Sequence, residues 1–126
     1  MRLLLDTSVL IALVEGRLDA RVREALASPD AAVHASVASL WEIAIKFRLG
    51  KLALKAPLAR LPELVENLGL VLLAIEASHV LAAVDPEPTT RDPFDRLLLA
   101  QCAVESLHLV TIDRHLTAHP LAWRPA

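Results

Sequence analysis

Short apolar runs alternate along this chain with longer segments in which apolar residues recur at helical spacing. Residues 2–5 (RLLL) form the first such run, which ends at Asp6 and predicts a buried strand. The unbroken apolar run 70–75 predicts a strand buried on both faces. Two shorter strands are predicted at 31–34 and 109–111. The pattern therefore predicts four strands, spaced along the chain.

The segments between these strands carry the signals of helices. Ser36 is a good N-cap for an amphipathic helix that Gly50 ends, and Asp92-Pro93 starts another that runs to about Ser106. Further helices are predicted at 7–15, 19–27, 58–67 and 77–84. Alternating strands and helices predict an α/β fold, a three-layer α/β/α sandwich around a central, mostly parallel sheet. At 126 residues the chain is expected to form one domain, residues 1–126.

Composition adds an aliphatic core and a location. Apolar residues make up 55% of the chain but aromatic residues only 3%, so Leu, Val, Ile and Ala must build the core. This apolar excess hints that part of the surface is buried against another chain. No run approaches the ~18 apolar residues of a membrane helix, and Asp6-Thr7-Ser8 interrupts the first run, which argues against a signal peptide. Cys102 is the only cysteine, which predicts a reducing, cytoplasmic location.

The net charge of −2 does not by itself indicate a nucleic-acid-binding protein. The charge is unevenly distributed, however, because the stretch between Glu42 and Glu63 contains five basic residues and no acid. Such a stretch could attract a phosphate backbone, or it could simply be a solvated helix and loop. The sequence leaves both explanations open.

Four acids are expected to meet at one edge of the predicted sheet. Asp6 and Asp113 follow the first and last strands, Asp95 lies in the first turn of a helix, and Glu42 lies about two turns into another. In parallel sheets, ligands bind at the carboxyl ends of the strands. Four carboxylates placed there would repel one another unless a cation or shared protons neutralised them. Oxygen ligands without His or Cys favour Mg²⁺ or Mn²⁺, which are suited to phosphodiester hydrolysis by an activated water.

Each acid also has a structural explanation. Asp6, Asp95 and Asp113 could serve helix N-termini, which attract acidic side chains. Glu42 fits that explanation least well, and its best structural role is an ion pair with Lys46 one turn along the helix. The pattern alone therefore suggests a metal site without establishing one.

Four segments resemble the PIN domain, in the family's order and spacing. They are residues 4–11 (LLDTSVLI), 39–46 with 48–52 (SLWEIAIK, RLGKL), 91–101 (RDPFDRLLLAQ) and 109–113 (LVTID). Within that family the chain resembles the VapC-type ribonuclease toxins of bacterial toxin–antitoxin pairs. The family's acidic positions fall on Asp6, Glu42, Asp95 and Asp113, which the resemblance makes catalytic and metal-binding.

The resemblance implies a Mg²⁺- or Mn²⁺-dependent endoribonuclease that is the toxin of a type II toxin–antitoxin system. It also implies three partners: an RNA substrate, a small antitoxin protein and a second copy of the chain in a homodimer. The alternative is a catalytically idle PIN-like module that binds RNA or protein. Thr90 departs from the family's pattern, since close relatives often have His at this position.

Several neighbouring residues have two possible roles. Asp92 competes with Asp95 for the metal but is better explained as an N-cap, while Thr7 and Ser8 could either cap a helix or hydrogen-bond a ligating carboxylate. Lys46 could meet a phosphate or pair with Glu42 on the surface. Arg91, Arg96 and Arg114 are candidates for phosphate or antitoxin contacts. The five histidines share no metal-ligand spacing and are expected to be core or surface residues, and Cys102 and Trp41 are expected to pack on apolar faces.

Overall fold

The computed structural model describes residues 1–125. Four strands form one parallel sheet in the order β3-β2-β1-β4. They are β1 (Arg2–Leu5), β2 (Ala32–Ser36), β3 (Val71–Leu73) and β4 (His108–Val110). In the register, Leu4 lies opposite His34 on one side and Leu109 on the other. All four strands therefore present their carboxyl ends at the same edge of the sheet.

Helices connect the strands and cover both faces of the sheet. The helices are α1 (Thr7–Val14), α2 (Ala20–Leu26), α3 (Val37–Arg48), α4 (Leu61–Asn67), α5 (Ala77–Leu81), α6 (Pro93–Glu105) and α7 (Arg114–Thr117). A 3₁₀ turn at Leu58–Arg60 precedes α4. None of the helices described has both the length and the apolar character needed to span a bilayer.

Alternation along β1 divides the core into two layers. Leu3 and Leu5 point into a cluster that includes buried residues of α1 and α4, whereas Leu4 points into a cluster dominated by α6. Both clusters are almost entirely aliphatic, as the composition predicts, and Cys102 is buried in the second. The predicted three-layer α/β/α sandwich with a parallel sheet is therefore confirmed.

The prediction that the strand at 70–75 is buried on both faces is wrong. The structure has only Val71–Leu73 in β3, and this strand pairs with β2 alone, so it forms an edge of the sheet. Val71 is 55% exposed, and Leu72 and Leu73 are only partly buried. The continuous apolar run is explained by its ends, since Leu70 packs in the first cluster and Ile75 against the second.

The other predicted elements lie within one residue of their predicted positions, with three exceptions, and α7 has no predicted counterpart. β2 continues to Ser36, whose hydroxyl then accepts a bond from Ala38 N at 3.0 Å and starts α3 directly from the strand. The helix predicted at 77–84 ends at Leu81. The first turn of the helix predicted at 58–67 is 3₁₀, which places the start of α4 at Leu61.

Candidate active site

Asp6 lies at the junction of β1 and α1, where its backbone and side chain hold the turn together. Its amide donates to Val110 O at 3.0 Å, and its carboxylate Oδ1 accepts from Val9 N at 2.8 Å, which caps α1. The hydroxyl of Thr111 donates to the other oxygen, Oδ2. Burial raises the pKa of Asp6, the bonds from Thr111 and Val9 oppose that rise, and the nearby Asp113 and Glu42 add to it.

Glu42 is buried on α3 with both carboxylate oxygens engaged. The hydroxyl of Thr7 donates to Oε1 at 2.6 Å, and Lys46 Nζ lies 2.8 Å from Oε2. Ser39 Oγ lies 3.0 Å from Thr7 Oγ1, and because Thr7 has one hydroxyl proton, Ser39 must donate to it. This chain of bonds joins the start of α1 to α3, and it fits the expectation that Thr7 could support a functional carboxylate.

Asp92 and Asp95 begin α6 and have different tasks. Asp92 is the N-cap, and its Oδ1 accepts from Phe94 N at 2.8 Å and from Asp95 N at 3.2 Å. The Asp95 side chain is half-buried and has no hydrogen-bond partner among residues 1–125. Burial, followed by the repulsion of Asp92, Glu42, Asp113 and Asp6 in that order, raises the pKa of Asp95 to about 6. The structure therefore supports the capping role predicted for Asp92.

Asp113 lies on the surface, three residues after β4. It caps the short helix α7 by accepting from His115 N at 2.9 Å, and its own amide donates to Thr111 Oγ1 at 3.0 Å. Thr111 therefore contacts both Asp6 and Asp113. Thr111 is not among the candidate residues predicted from the sequence, although its position between β4 and Asp113 is the signal that could have identified it.

All four predicted acids line one small cavity of ≈ 120 Å³ at the carboxyl edge of the sheet. The lining contains five carboxyl groups and a single cationic side chain, that of Lys46. Burial raises the pKa values of Asp6 and Asp95 most, and the repulsion of the neighbouring carboxyl groups raises them further. The complete lining is Asp6, Thr7, Ser8, Glu42, Lys46, Asp92, Asp95 and Asp113.

The donors of this cavity are of the kind that a hard divalent cation prefers. They are carboxylate and hydroxyl oxygens, with neither His nor Cys among them. Within residues 1–125, however, no three His, Cys, Asp or Glu side chains already stand where they could hold one metal ion. A shared cation would therefore require some of the carboxylates to move closer together.

Other residues singled out from the sequence lie apart from this cavity. Arg96 is bound to the loop before α6, where it donates to Thr90 O at 2.9 Å and Pro88 O at 3.2 Å and pairs with Glu87. These contacts give Arg96 a structural role in holding the loop against the start of α6. Trp41 departs from the expected apolar packing, since it is 60% exposed and contacts Phe94 edge to face at a ring separation of 5.4 Å.

The fold is similar to that of a solved toxin–antitoxin structure, VapBC2 from Rickettsia felis bound to a DNA fragment from its promoter. The TM-score is 0.67 at 17% sequence identity, and the match covers 97% of this chain and 96% of that one. At this identity the likeness establishes the fold alone. No curated protein matches the chain. The family model of the PIN domain matches residues 3–120, and the chain therefore belongs to the PIN domain family.

Proposed function

We propose that this chain is a metal-dependent endoribonuclease and the toxin component of a type II toxin–antitoxin system. PIN domains are generally nucleases that use divalent metal ions. The observation that carries the proposal is the cluster of five carboxyl groups around one cavity at the carboxyl edge of the sheet. Repulsion among the five carboxyl groups destabilises the fold. Helix capping alone would not require that these groups lie around one cavity.

In this proposal Asp6, Glu42, Asp95 and Asp113 hold Mg²⁺ or Mn²⁺. When bound, the cation would supply Lewis-acid chemistry, activating water and stabilising the phosphoryl and leaving oxygens of the RNA. The chain's own contribution is to fix the carboxylates. Two hydroxyl groups do this for the buried pair, that of Thr111 on Asp6 and that of Thr7 on Glu42.

Asp95 is the acid best suited to respond to a cation. Its carboxyl group is half-buried, and its pKa is raised mainly by burial and then by the other acids of the cavity. A divalent cation would relieve that repulsion and favour the ionised form. Asp92 is left out of the ligand set because the family's acidic position in this segment falls on Asp95, and the Oδ1 of Asp92 already accepts two backbone bonds at the start of α6.

The proposed partners follow from the same assignment. The solved neighbour is described as VapBC2 bound to promoter DNA, and we propose that this chain likewise pairs with a small antitoxin protein. A homodimer is proposed because large apolar side chains such as Leu81, Ile112 and Leu49 are exposed on the monomer. The single buried cysteine is compatible with the reducing cytoplasm proposed as its location.

The proposal is tested with purified protein and a structured RNA in Mg²⁺ or Mn²⁺, with and without chelator. The key variant is Asp6→Asn, because asparagine keeps the N-cap of α1 while removing the charge. The matched control is Asp19→Asn, which makes the same exchange at the exposed N-cap of α2, outside the acidic cavity.

We expect cleavage that chelator abolishes, that Asp19→Asn retains and that Asp6→Asn loses. The loss should exceed the roughly 10–100-fold effect of removing a ligand's hydrogen-bonding partner. Cleavage that survives chelator or Asp6→Asn would contradict the metal–carboxylate assignment. If several RNAs stay intact although Mn²⁺ binds, the idle RNA- or protein-binding module becomes the better explanation.

A further inference from the structure

Lys46 is the only cationic residue in the lining of the acidic cavity, and it is paired with the buried carboxylate of Glu42. The Lys46 Nζ to Glu42 Oε2 distance is 2.8 Å, with the Glu42 side chain 11% exposed and the Lys46 side chain 44% exposed. Thr7 fixes the other oxygen of the same carboxylate. The carboxylate is therefore held in place, whereas the ammonium lies at the end of a flexible stem that reaches solvent.

The position of Lys46 resembles that of a counter-ion more than that of a surface ion pair. An ordinary i,i+4 pair lies on a solvated helix face. This pair instead lines a cavity together with four further carboxyl groups. The ammonium thus neutralises one member of a cluster in which neighbouring acids help to raise the pKa values of Asp6 and Asp95. It also occupies an oxygen that a metal ion would need.

We propose that Lys46 is an internal counter-ion that competes with the divalent cation for Glu42 and, once displaced, contacts a phosphate of the RNA. The inference rests on the proposed function and deepens it, since it assigns a positioning and substrate-binding role to a residue outside the ligand set. Displacement is feasible because Glu42 is the only ion-pair partner of the ammonium among residues 1–125, and the Lys46 side chain is 44% exposed. The displaced group stays on α3, at the start of the basic stretch that continues with Arg48 and Lys51.

The first test measures Mn²⁺ affinity directly, by following free Mn²⁺ with electron paramagnetic resonance in the absence of RNA. Lys46→Met removes the competing charge and keeps the length of the side chain. We expect Mn²⁺ to bind Lys46→Met about tenfold more tightly than the parent protein. Lys46→Gln serves as a second variant, and Lys51→Met is the control because Lys51 is exposed and does not line the cavity.

The second test follows RNA binding with a labelled single-stranded RNA, in Ca²⁺ and in chelator, over a range of salt concentrations. Each phosphate contact contributes about 0.7 to the slope of log affinity against log salt for single strands. We expect Lys46→Met to lower this slope by about 0.7 in Ca²⁺, where Lys46 is displaced. In chelator, where Lys46 remains on Glu42, the slope should be unchanged.

These outcomes separate the inference from the proposed function. If the parent protein binds Mn²⁺ and cleaves RNA, but Lys46→Met binds Mn²⁺ equally or more weakly, the counter-ion role is wrong and the nuclease proposal stands. If the slope changes equally with and without Ca²⁺, Lys46 is a permanent phosphate contact and displacement is wrong. If neither the parent protein nor any variant binds Mn²⁺, the proposed function itself is wrong.

Discussion

Asp95 bears part of the electrostatic cost of gathering acids around the cavity. Burial and four neighbouring acids raise its pKa from the ordinary 3.8 to about 6. Between those two pH values the folded protein binds more protons than the unfolded chain. Ionisation of Asp95 therefore destabilises the folded protein progressively as the pH rises from about 4 to about 6, and this destabilisation is complete above that range.

We expect Asp95→Asn to stabilise the metal-free protein at pH 7.5. The gain should be about 1 kcal/mol, because solvent screening of this half-exposed group reduces the effect of the full pKa shift. Below about pH 4 the gain should vanish, since the aspartate is then protonated in both states. Urea unfolding in chelator at pH 4 and pH 7.5 measures both values.

The control for this experiment is Asp19→Asn, which exchanges an exposed helix cap outside the cavity. It should change stability by no more than a few tenths of a kcal/mol at either pH, since Asp and Asn cap helices about equally well. If Asp95→Asn were instead less stable than the parent protein at pH 7.5, the carboxylate would make a favourable contact that outweighs its repulsion. The proposed electrostatic destabilisation by Asp95 would then be wrong.

Three of the four candidate acids stand next to a signal that is recognisable in the sequence, whereas Glu42 was identified through the resemblance of its segment to the PIN domain. Asp6 and Asp113 follow apolar runs, and Asp95 follows the Asp92-Pro93 helix start. The hydroxyl of Thr111 on Asp6 could not be predicted, because it joins residues 105 positions apart along the chain. The raised pKa of Asp95 is likewise a property of four elements packed together, which no local pattern contains.

At the scale of elements, a buried histidine joins α5 to α6. His79 is fully buried, its Nδ1 accepts from Glu76 N at 2.9 Å, and its Nε2 lies 2.7 Å from Glu105 Oε2. Because Nδ1 accepts a backbone bond, the proton must be on Nε2, which donates to Glu105. Glu105 is the last residue of α6, so this contact fixes the end of the helix opposite to Asp92.

We expect His79→Ala to destabilise the protein by about 3 kcal/mol, since it leaves a cavity and removes a buried hydrogen-bonding partner. Glu105→Gln is the matched variant, because the glutamine oxygen still accepts from Nε2. That exchange should cost less than about 1 kcal/mol. Equilibrium unfolding in urea compares them. Equal losses in both variants would show that the charge of Glu105, and not the imidazole, holds the two helices together.

The starts of helices are determined by the local sequence, whereas the order of strands in the sheet is determined by packing. The start of α6 at Asp92-Pro93 and the start of α3 at Ser36 follow from capping chemistry, and both predictions are confirmed. The edge position of β3 could not be predicted, because an apolar run reports burial without saying which strands lie beside it. Sheet order depends on how the crossovers pack, and the hydrophobic pattern does not encode it locally.

At the scale of the whole molecule, the fold gathers negative charge at one edge of an otherwise nearly neutral protein. The net charge is only −2, yet five carboxyl groups and one ammonium surround a single cavity. The elements that supply them follow or precede different strands, so folding itself forces the carboxylates together. A ligand that binds only this folded arrangement must stabilise it.

We therefore expect Mn²⁺ to raise the unfolding temperature of the parent protein. At a free concentration of 100 times the dissociation constant, the gain is about 2.7 kcal/mol, or roughly 10 °C for a domain of this size. The shift should be present in Asp19→Asn and nearly absent in Asp6→Asn. It should also be smaller at pH 5 than at pH 7.5, because Asp95, with a pKa of about 6, must lose its proton before it can bind a cation. Differential scanning calorimetry at the two pH values measures it, and a shift independent of pH would mean that Mn²⁺ binds the protein without using Asp95.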